Sequence, residues 1–197
     1  MIETPCVIFA GGKSSRMGSN KALLPFAGFD TLTEYQHNRV SKIFKNVYIS
    51  CRDKNLFNFS ANFIEDSNSD TIAAPTFGFI AAFESLQHSE IFVLSVDAPF
   101  IDASIIQKLL KEDSSSNDAT IAQTPQGNQP LCGIYHRSLL PQFYTMQESK
   151  QHRLGQLLKN SKTKFIHFED EEKFLNLNNP QEYQKALKLY AINSSLL

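Results

Sequence analysis

Residues 9–21 read FAGGKSSRMGSNK: two adjacent glycines, a third glycine, an arginine and two lysines, directly after an apolar run. Gly11 and Gly12 let a backbone approach a ligand closely and turn its N–H groups toward it. Arg16 offers a planar fork to phosphate oxygens, and Lys21 adds a compact point charge. This is a donor set for a polyphosphate. Spacing excludes two common ways of holding one. A Walker A loop needs a lysine directly after its last glycine and a hydroxyl after that lysine, whereas Lys21 follows Gly18 by three positions and precedes Ala22. A dinucleotide fingerprint needs GxGxxG, which Gly11-Gly12-Lys13 does not supply. A glycine turn carrying solvated cations is the alternative that composition leaves open.

A second chemical signal is Asp97, at the end of the apolar run IFVLSVD (91–97). A carboxylate there is costly without a partner. Magnesium is one such partner, since it takes one or two carboxylates and completes its shell with waters and phosphate oxygens. Capping the next helix is the alternative role, but Asp102 and Ser104 already offer that service.

These residues must be positioned by the elements between them. Short β-rich runs at 6–10, 46–50, 62–66, 91–97, 119–123, 131–135 and 164–168 read as strands. Helical spacing marks 32–44, 77–87, the stretch after Asp102, 139–146, 154–158 and a last helix capped by Asn179, with Pro180 first and Glu182 completing a capping box. KEDSSSND (111–118) reads as a solvated polar loop. The alternation predicts an α/β fold with a mostly parallel sheet covered on both faces. In such sheets ligands sit at the carboxyl ends of strands. That puts the loop after Ala10, the acids after Ile64, and Asp97 on one rim.

The opening motif, with Lys21-Ala22-Leu23-Leu24 closing it, resembles that of molybdenum cofactor guanylyltransferases of the MobA type. SVDAPFI (95–101), QPLCGIY (129–135) and LNLNNPQEY (175–183) resemble later motifs of the same family, in the same order. The resemblance implies a three-layer α/β/α Rossmann-like sheet of the GT-A type. It implies one domain over 1–197, with 1–100 mainly binding nucleotide and 101–197 mainly binding acceptor. The activity implied is Mg2+-dependent transfer of GMP from GTP to the phosphate of molybdopterin, releasing pyrophosphate. Arg16, Lys21 and Asp97 are the implied catalytic residues, with Asp97 on the metal. Phe9, Ala10, Gly11, Gly12, Lys21, Ser50, Asp66 and Asp97 form the implied nucleotide site, and Asn176, Asn178 and Arg153 the acceptor site. Transient contacts with molybdenum-insertion enzymes and molybdoenzyme chaperones are implied as well.

The chain departs from the family pattern in three places. Ser50 stands where asparagine is common, Ala74 replaces the first glycine of a Gly-Pro-Leu-x-Gly loop, and Gln129 replaces a histidine before Pro130. Ser50 keeps a cytidylyltransferase, acting on molybdopterin or another phosphorylated small molecule, as an alternative. A non-catalytic nucleotide- or cofactor-binding protein is another, though it would not need both Arg16 and Asp97.

The whole-chain numbers bound the reading. The 197 residues suffice for a single domain with a sizeable core, and the composition (42% hydrophobic, 20% charged, formal net charge −1) is that of a globular protein without a basic field for nucleic acid or anionic membranes. No segment reaches the ~18 apolar residues of a membrane span, and the start has no secretory pattern, so a cytoplasmic protein is expected. Cys6, Cys51 and Cys132 form no CxxC pair and read as reduced thiols. His37, His88, His136, His152 and His167 show no ligand spacing and read as surface or structural.

Overall fold

Alternate residues of the first strand, Cys6–Phe9 (β1), serve two apolar layers. Cys6 and Ile8 join one core cluster, and Val7 and Phe9 join the other. That two-residue period places the strand in the middle of the fold, covered on both faces. The computed structural model describes residues 1–11, 20–66 and 74–194.

The remaining strands are Val47–Cys51 (β2), Asn62–Glu65 (β3), Glu90–Ser95 (β4), Ala119–Thr124 (β5), Gly127–His136 (β6) and Thr163–His167 (β7). The helices are Leu32–Val40 (α1), Pro75–Leu86 (α2), Ala103–Glu112 (α3), Leu140–Glu148 (α4), Leu154–Lys159 (α5) and Pro180–Ser194 (α6). The strands form one sheet in the order β3-β2-β1-β4-β6-β5-β7. All neighbours are parallel except those of β6, which runs antiparallel to both β4 and β5. The turn Pro125-Gln126-Gly127 explains the exception, because it folds β5 and β6 into a hairpin, and Gly127 takes a φ of 131° there. One face carries Leu32, Val40, Ile105, Ile106, Leu109 and Ala186 from α1, α3 and α6; the other carries Phe79, Phe83, Phe143 and Leu158 from α2, α4 and α5. The result is the expected three-layer α/β/α arrangement.

Local signals in the sequence explain most element ends. Asp102 Oδ1 accepts from the N–H groups of Ser104 (3.0 Å) and Ile105 (3.1 Å) and so starts α3. Asn179 Oδ1 accepts from Glu182 N (2.9 Å) at the start of α6. The first helix is shorter than its apolar spacing predicts. It stops at Val40, and the N–H groups of Ile43 and Phe44 both reach back to Val40 O at 2.9 Å in a turn that still buries Phe44. The polar loop after α3 is not wholly solvated either, since Asp113 is drawn inward by His136 and Thr120. The three cysteines are buried and free. No described helix is long and apolar enough to cross a membrane.

Candidate functional site

Parallel register brings the ends of β1, β2 and β4 level. Phe9 sits opposite Ser50 on one side and Ser95 on the other. The chain leaves β4 through Val96 to Asp97, and every carbonyl of this turn is held. Gln36 of α1 is fully buried, and its Nε2 donates to the carbonyls of Ser95 (3.3 Å), Val96 (3.2 Å) and Ala98 (2.9 Å). Leu177 N donates to Asp97 O at 2.9 Å. Arg39, on the same helix, holds Gln36 Oε1 through Nε (3.2 Å) and Nη2 (2.5 Å), and donates to the carbonyl of Ile101. Gln36 and Arg39 are positioning residues that the motif reading passed over. A glutamine on an otherwise ordinary helix signals nothing until its distant partners are known.

The turn aims Asp97 at two other segments. Asp97 Oδ1 accepts from Ser95 Oγ at 2.5 Å, while Oδ2 pairs with Lys21 Nζ at 2.9 Å. Lys21 Nζ also donates to Asn178 Oδ1 at 3.0 Å. Lys21 sits on a short 3₁₀ turn, Lys21–Leu23, capped by Asn20, whose side chain accepts from Ala22 N. Asn178 is fixed by its backbone, because its N–H donates to Glu182 Oε2 at 2.6 Å and ties it to the first turn of α6. Three predicted residues from three parts of the chain therefore meet at one point. Gly12 and Arg16 lie outside the described residues.

Two cavities open beside this point. The smaller, about 170 Å³, is lined by Phe9, Gly11, Ser50, Arg52, Asp66 and Gly78 among others. It gathers four of the predicted nucleotide residues, Phe9, Gly11, Ser50 and Asp66; Ala10 is buried outside it and Gly12 lies outside the described residues. Asp66 Oδ1 is buried there without a hydrogen-bond partner. Burial pushes the Asp66 carboxyl up to about 6, an effect that the nearby Arg52 charge only partly offsets. Gly78 is the close approach that lets α2 cover this cavity. A Cβ on it would meet Phe9 Cε1 at 2.6 Å and Ser50 Oγ at 2.7 Å.

The larger cavity, about 430 Å³, contains Ser95, Asp97, Gln129, Cys132, His152, Asn176 and Asn178 in its walls. Pro75 and Leu131 line both cavities and form the ridge between them. Asn176 and Asn178 thus line the Asp97 cavity. Arg153 does not. It lines a separate cavity between α4 and α5, with Asp118, Gln142 and Gln156. Its neighbour His152 is among the residues lining the Asp97 cavity, with both ring nitrogens buried.

Donor chemistry at Asp97 fits a hard divalent cation. The carboxylate and the Asn178 amide oxygen are both oxygen ligands, and the adjacent cavity has room for phosphate oxygens. A cation on Oδ2 would displace Lys21. Among the described residues one cluster of potential metal ligands exists elsewhere, Glu90, Asp113 and His136. It lies at the amino end of β4, about 17 Å along the strand from the Asp97 end. Its geometry is that of a clamp, with His136 Nε2 3.0 Å from Asp113 Oδ2 and Nδ1 3.8 Å from Glu90 Oε2. One imidazole cannot direct both nitrogens at a single ion.

Comparison with known proteins identifies the family and the fold. Residues 6–164 match the family described as MobA-like NTP transferase domain. A molybdenum cofactor guanylyltransferase from Campylobacter jejuni (strain RM1221) is 39% identical over 183 residues, covering 93% of this chain and 95% of that one. One from Helicobacter pylori (strain G27) is 35% identical over 190 residues, covering 94% and 92%. Among solved structures, the molybdopterin-guanine dinucleotide biosynthesis protein A from Archaeoglobus fulgidus superposes with a TM-score of 0.82 at 21% identity, covering 95% of this chain and 99% of that one. The fold is shared more widely. A 4-diphosphocytidyl-2C-methyl-D-erythritol synthase from Anaerococcus prevotii superposes with a TM-score of 0.69 at 13% identity, covering 95% and 96%.

Proposed function

The chain belongs to the family of MobA-like NTP transferase domains and is a nucleotidyltransferase, and on that premise we propose that it transfers GMP from GTP to the phosphate of molybdopterin. The observation that carries this reading is the meeting of Lys21, Asp97 and Asn178 beside two cavities that share a wall. GTP lies with its base in the smaller cavity, and molybdopterin occupies the larger one. An acceptor phosphate oxygen forms a bond to the α-phosphorus, the bond from the α-phosphorus to the bridging oxygen breaks, and pyrophosphate leaves.

Two anions must meet for this to happen, so the protein's main tasks are alignment and charge neutralisation. Lys21 moves its ammonium from Asp97 to the phosphate tail, and Arg16 adds a second cation from the glycine-rich loop. Gly11 and Gly12 bring backbone donors to the same tail. Asp97 would hold Mg2+, which would supply further neutralisation of phosphate charge. Asn176 and Asn178 orient the acceptor. Asp66 gives guanine selectivity, because an ionised carboxylate accepts from both the ring N–H and the exocyclic amine of guanine. Cytosine offers no such pair of donors, and Ser50 beside Asp66 provides only a hydroxyl. The first half of the chain thus serves mainly the nucleotide and the second mainly the acceptor. Cytoplasmic action and transient contacts with molybdenum-insertion enzymes and molybdoenzyme chaperones belong to the same proposal.

The test is incubation with molybdopterin, Mg2+, and either GTP or CTP, followed by measurement of pyrophosphate and identification of the attached nucleotide. Guanine attachment is expected. Attachment of CMP would transfer the reading to a cytidylyltransferase, and GTP binding without pyrophosphate release would leave only a binding protein.

A further inference from the structure

We propose that Arg52 is a specificity-determining residue for the nucleotide, its guanidinium donating to the O6 and N7 edge of guanine while Asp66 takes the donor edge. The inference rests on the base assignment made above.

Sheet register brings the two side chains together. Phe9 pairs with Ser50 across β1 and β2, and Ser50 with Ile64 across β2 and β3. Phe9 and Ile64 belong to the core cluster under α2, and Ser50 Oγ lies where a Cβ on Gly78 of α2 would meet it. All three therefore share one face of the sheet. Side chains alternate along a strand, so Gly11, Arg52 and Asp66, two positions further on, return to that face. Hydrogen bonds from Ala10 N to Ser50 O (2.9 Å) and from Asp66 N to Cys51 O (3.0 Å) carry the pairing past the strand ends. Neighbouring strands stand about 4.8 Å apart, which sets Arg52 between Gly11 and Asp66 in one row. Each of the three lines the smaller cavity.

The guanidinium is open to a ligand. Arg52 is exposed, and the acids around it are engaged elsewhere. Asp53 Oδ1 accepts from Asn55 N and Nδ2, both at 2.9 Å, and Glu65 pairs with Lys54 at 3.2 Å. The Arg52 charge acts on Asp66 against the effect of burial, yet Asp66 Oδ1 has no hydrogen-bond partner, so the fork is not closed on that oxygen. Among the described residues of this wall, Arg52 and Asp66 are the two charged ones; Asp97, with Lys21 on it, lines the other cavity.

Guanine fits this pair. Its O6 adjoins the ring N–H, so a carboxylate on the ring N–H and the exocyclic amine leaves O6 and N7 to a neighbouring group that must donate. The arginine fork spans those two acceptors. Ser50, the other donor side chain in the wall, is 2% exposed and offers a single hydroxyl. Adenine and cytosine each place an amine where O6 would stand, and a cation there selects against both.

Calorimetric titration of the full-length protein tests this at about pH 8, above the Asp66 value of about 6. The ligands are GTP, 7-deaza-GTP, which carries C–H in place of N7, and inosine triphosphate, which lacks the exocyclic amine. Wild type should bind 7-deaza-GTP roughly 2- to 10-fold more weakly than GTP. Arg52→Met should weaken GTP by roughly 5- to 150-fold and bind GTP and 7-deaza-GTP alike. The penalty for inosine triphosphate should be the same in both proteins, because Asp66 reads the amine. Arg52→Lys keeps the charge beside Asp66 and lacks the fork, so it should recover part of the GTP affinity and none of the preference for N7. Thermal midpoints should hold, since an exposed side chain is replaced. If wild type ignores N7, or if Arg52→Met keeps the preference, the inference falls; an arginine that serves the phosphates weakens both ligands by one factor and so gives the second result. Binding without acceptor separates this inference from the assigned reaction. An Arg52-dependent preference for N7 with no dinucleotide formed leaves Arg52 its role and removes the reaction. A guanine dinucleotide formed with a preference indifferent to Arg52 does the reverse, and a wild type that binds CTP in place of GTP overturns both.

Discussion

Lys21 Nζ stands 2.9 Å from Asp97 Oδ2, so the cation proposed for phosphate rests on the carboxylate proposed for metal. Each neutralises the other until substrate arrives. Lys21→Ala removes the cation and should lower turnover by roughly 100- to 1000-fold, as for other preorganised donors to a developing charge. The same change should tighten divalent-ion binding to the free protein, because Asp97 loses its competitor. Pyrophosphate release measures the first effect and Mn2+ titration the second. Mn2+ affinity equal to wild type would show that the two cations do not share Asp97.

Gln36 is the bolt behind that carboxylate. Its amide serves the carbonyls of Ser95, Val96 and Ala98 from a fully buried position. Gln36→Leu fills similar space but takes the amide donor from those carbonyls and the Oε1 acceptor from the Arg39 guanidinium, which keeps only its bond to the Ile101 carbonyl. A loss of about 2–3 kcal/mol in unfolding free energy is expected, together with a drop in turnover as the turn bearing Asp97 loosens. Denaturant melts and steady-state rates check both. Full activity in a folded Gln36→Leu protein would remove its positioning role.

Asp66 should give opposite pH trends for stability and for binding. Its carboxyl is raised from 3.8 to about 6 by burial, so the unfolded chain gives up this proton at lower pH than the folded one. Its contribution to stability is therefore complete below about pH 4 and is lost as pH rises through about 6. Guanine recognition needs the ionised form, so GTP affinity should fall as pH drops below about 6. Asp66→Asn removes the penalty and should stabilise the free protein by about 1–2 kcal/mol at pH 7.5, allowing for partial exposure. It should also weaken GTP by roughly 10- to 100-fold through loss of a charged acceptor. Melts across pH 4–8 and GTP titrations read the two trends separately. A pH-independent GTP affinity would take Asp66 out of the base site.

Gly78 lies inside α2, where alanine would ordinarily be better by about 1 kcal/mol. The added Cβ meets Phe9 at 2.6 Å and Ser50 at 2.7 Å, and Phe9 cannot swing freely because its ring packs on Phe79 with centroids 4.8 Å apart. Overpacking of this kind costs about 1–3 kcal/mol, which outweighs the gain in helix propensity. Gly78→Ala should therefore be net destabilising, with a raised KM for GTP and an unchanged KM for acceptor. A stabilised Gly78→Ala protein would mean that α2 shifts without cost.

Much of the site is legible without coordinates because one topological rule governs it. Alternating strands and helices predict parallel strands, and parallel strands bring Ala10, Asp66 and Asp97 to one rim. Cap residues such as Asp102 and Asn179 act within a few positions of their partners, so they too are readable locally. What stays hidden depends on distance or on a single backbone angle. Gln36 finds its carbonyls some sixty residues away. The adjacent His152 and Arg153 line different cavities just after one left-handed residue, and lysine gives no hint of that conformation. The Asp97–Lys21 contact has a similar character: spacing implies two groups on one phosphate tail, whereas in the fold they touch each other directly.

The left-handed residue is itself open to test. Lys150 has a φ of 55° at the position after the α4 cap, where glycine is usual. A side chain there costs about 1–2 kcal/mol in backbone strain, while glycine gives back part of that through its freer unfolded chain. Lys150→Gly should therefore stabilise the protein by about 0.5–1 kcal/mol, a rise of about 1–4 °C in thermal midpoint for a chain of this size. Neither cavity includes Lys150 in its walls, so turnover and both KM values should hold. Lys150→Pro tests the same turn from the other side, because proline cannot adopt a positive φ and has no N–H for Gln147 O. It should lower the midpoint. If Lys150→Gly destabilises, or if Lys150→Pro leaves the midpoint unchanged, the left-handed backbone at this position carries no strain worth relieving.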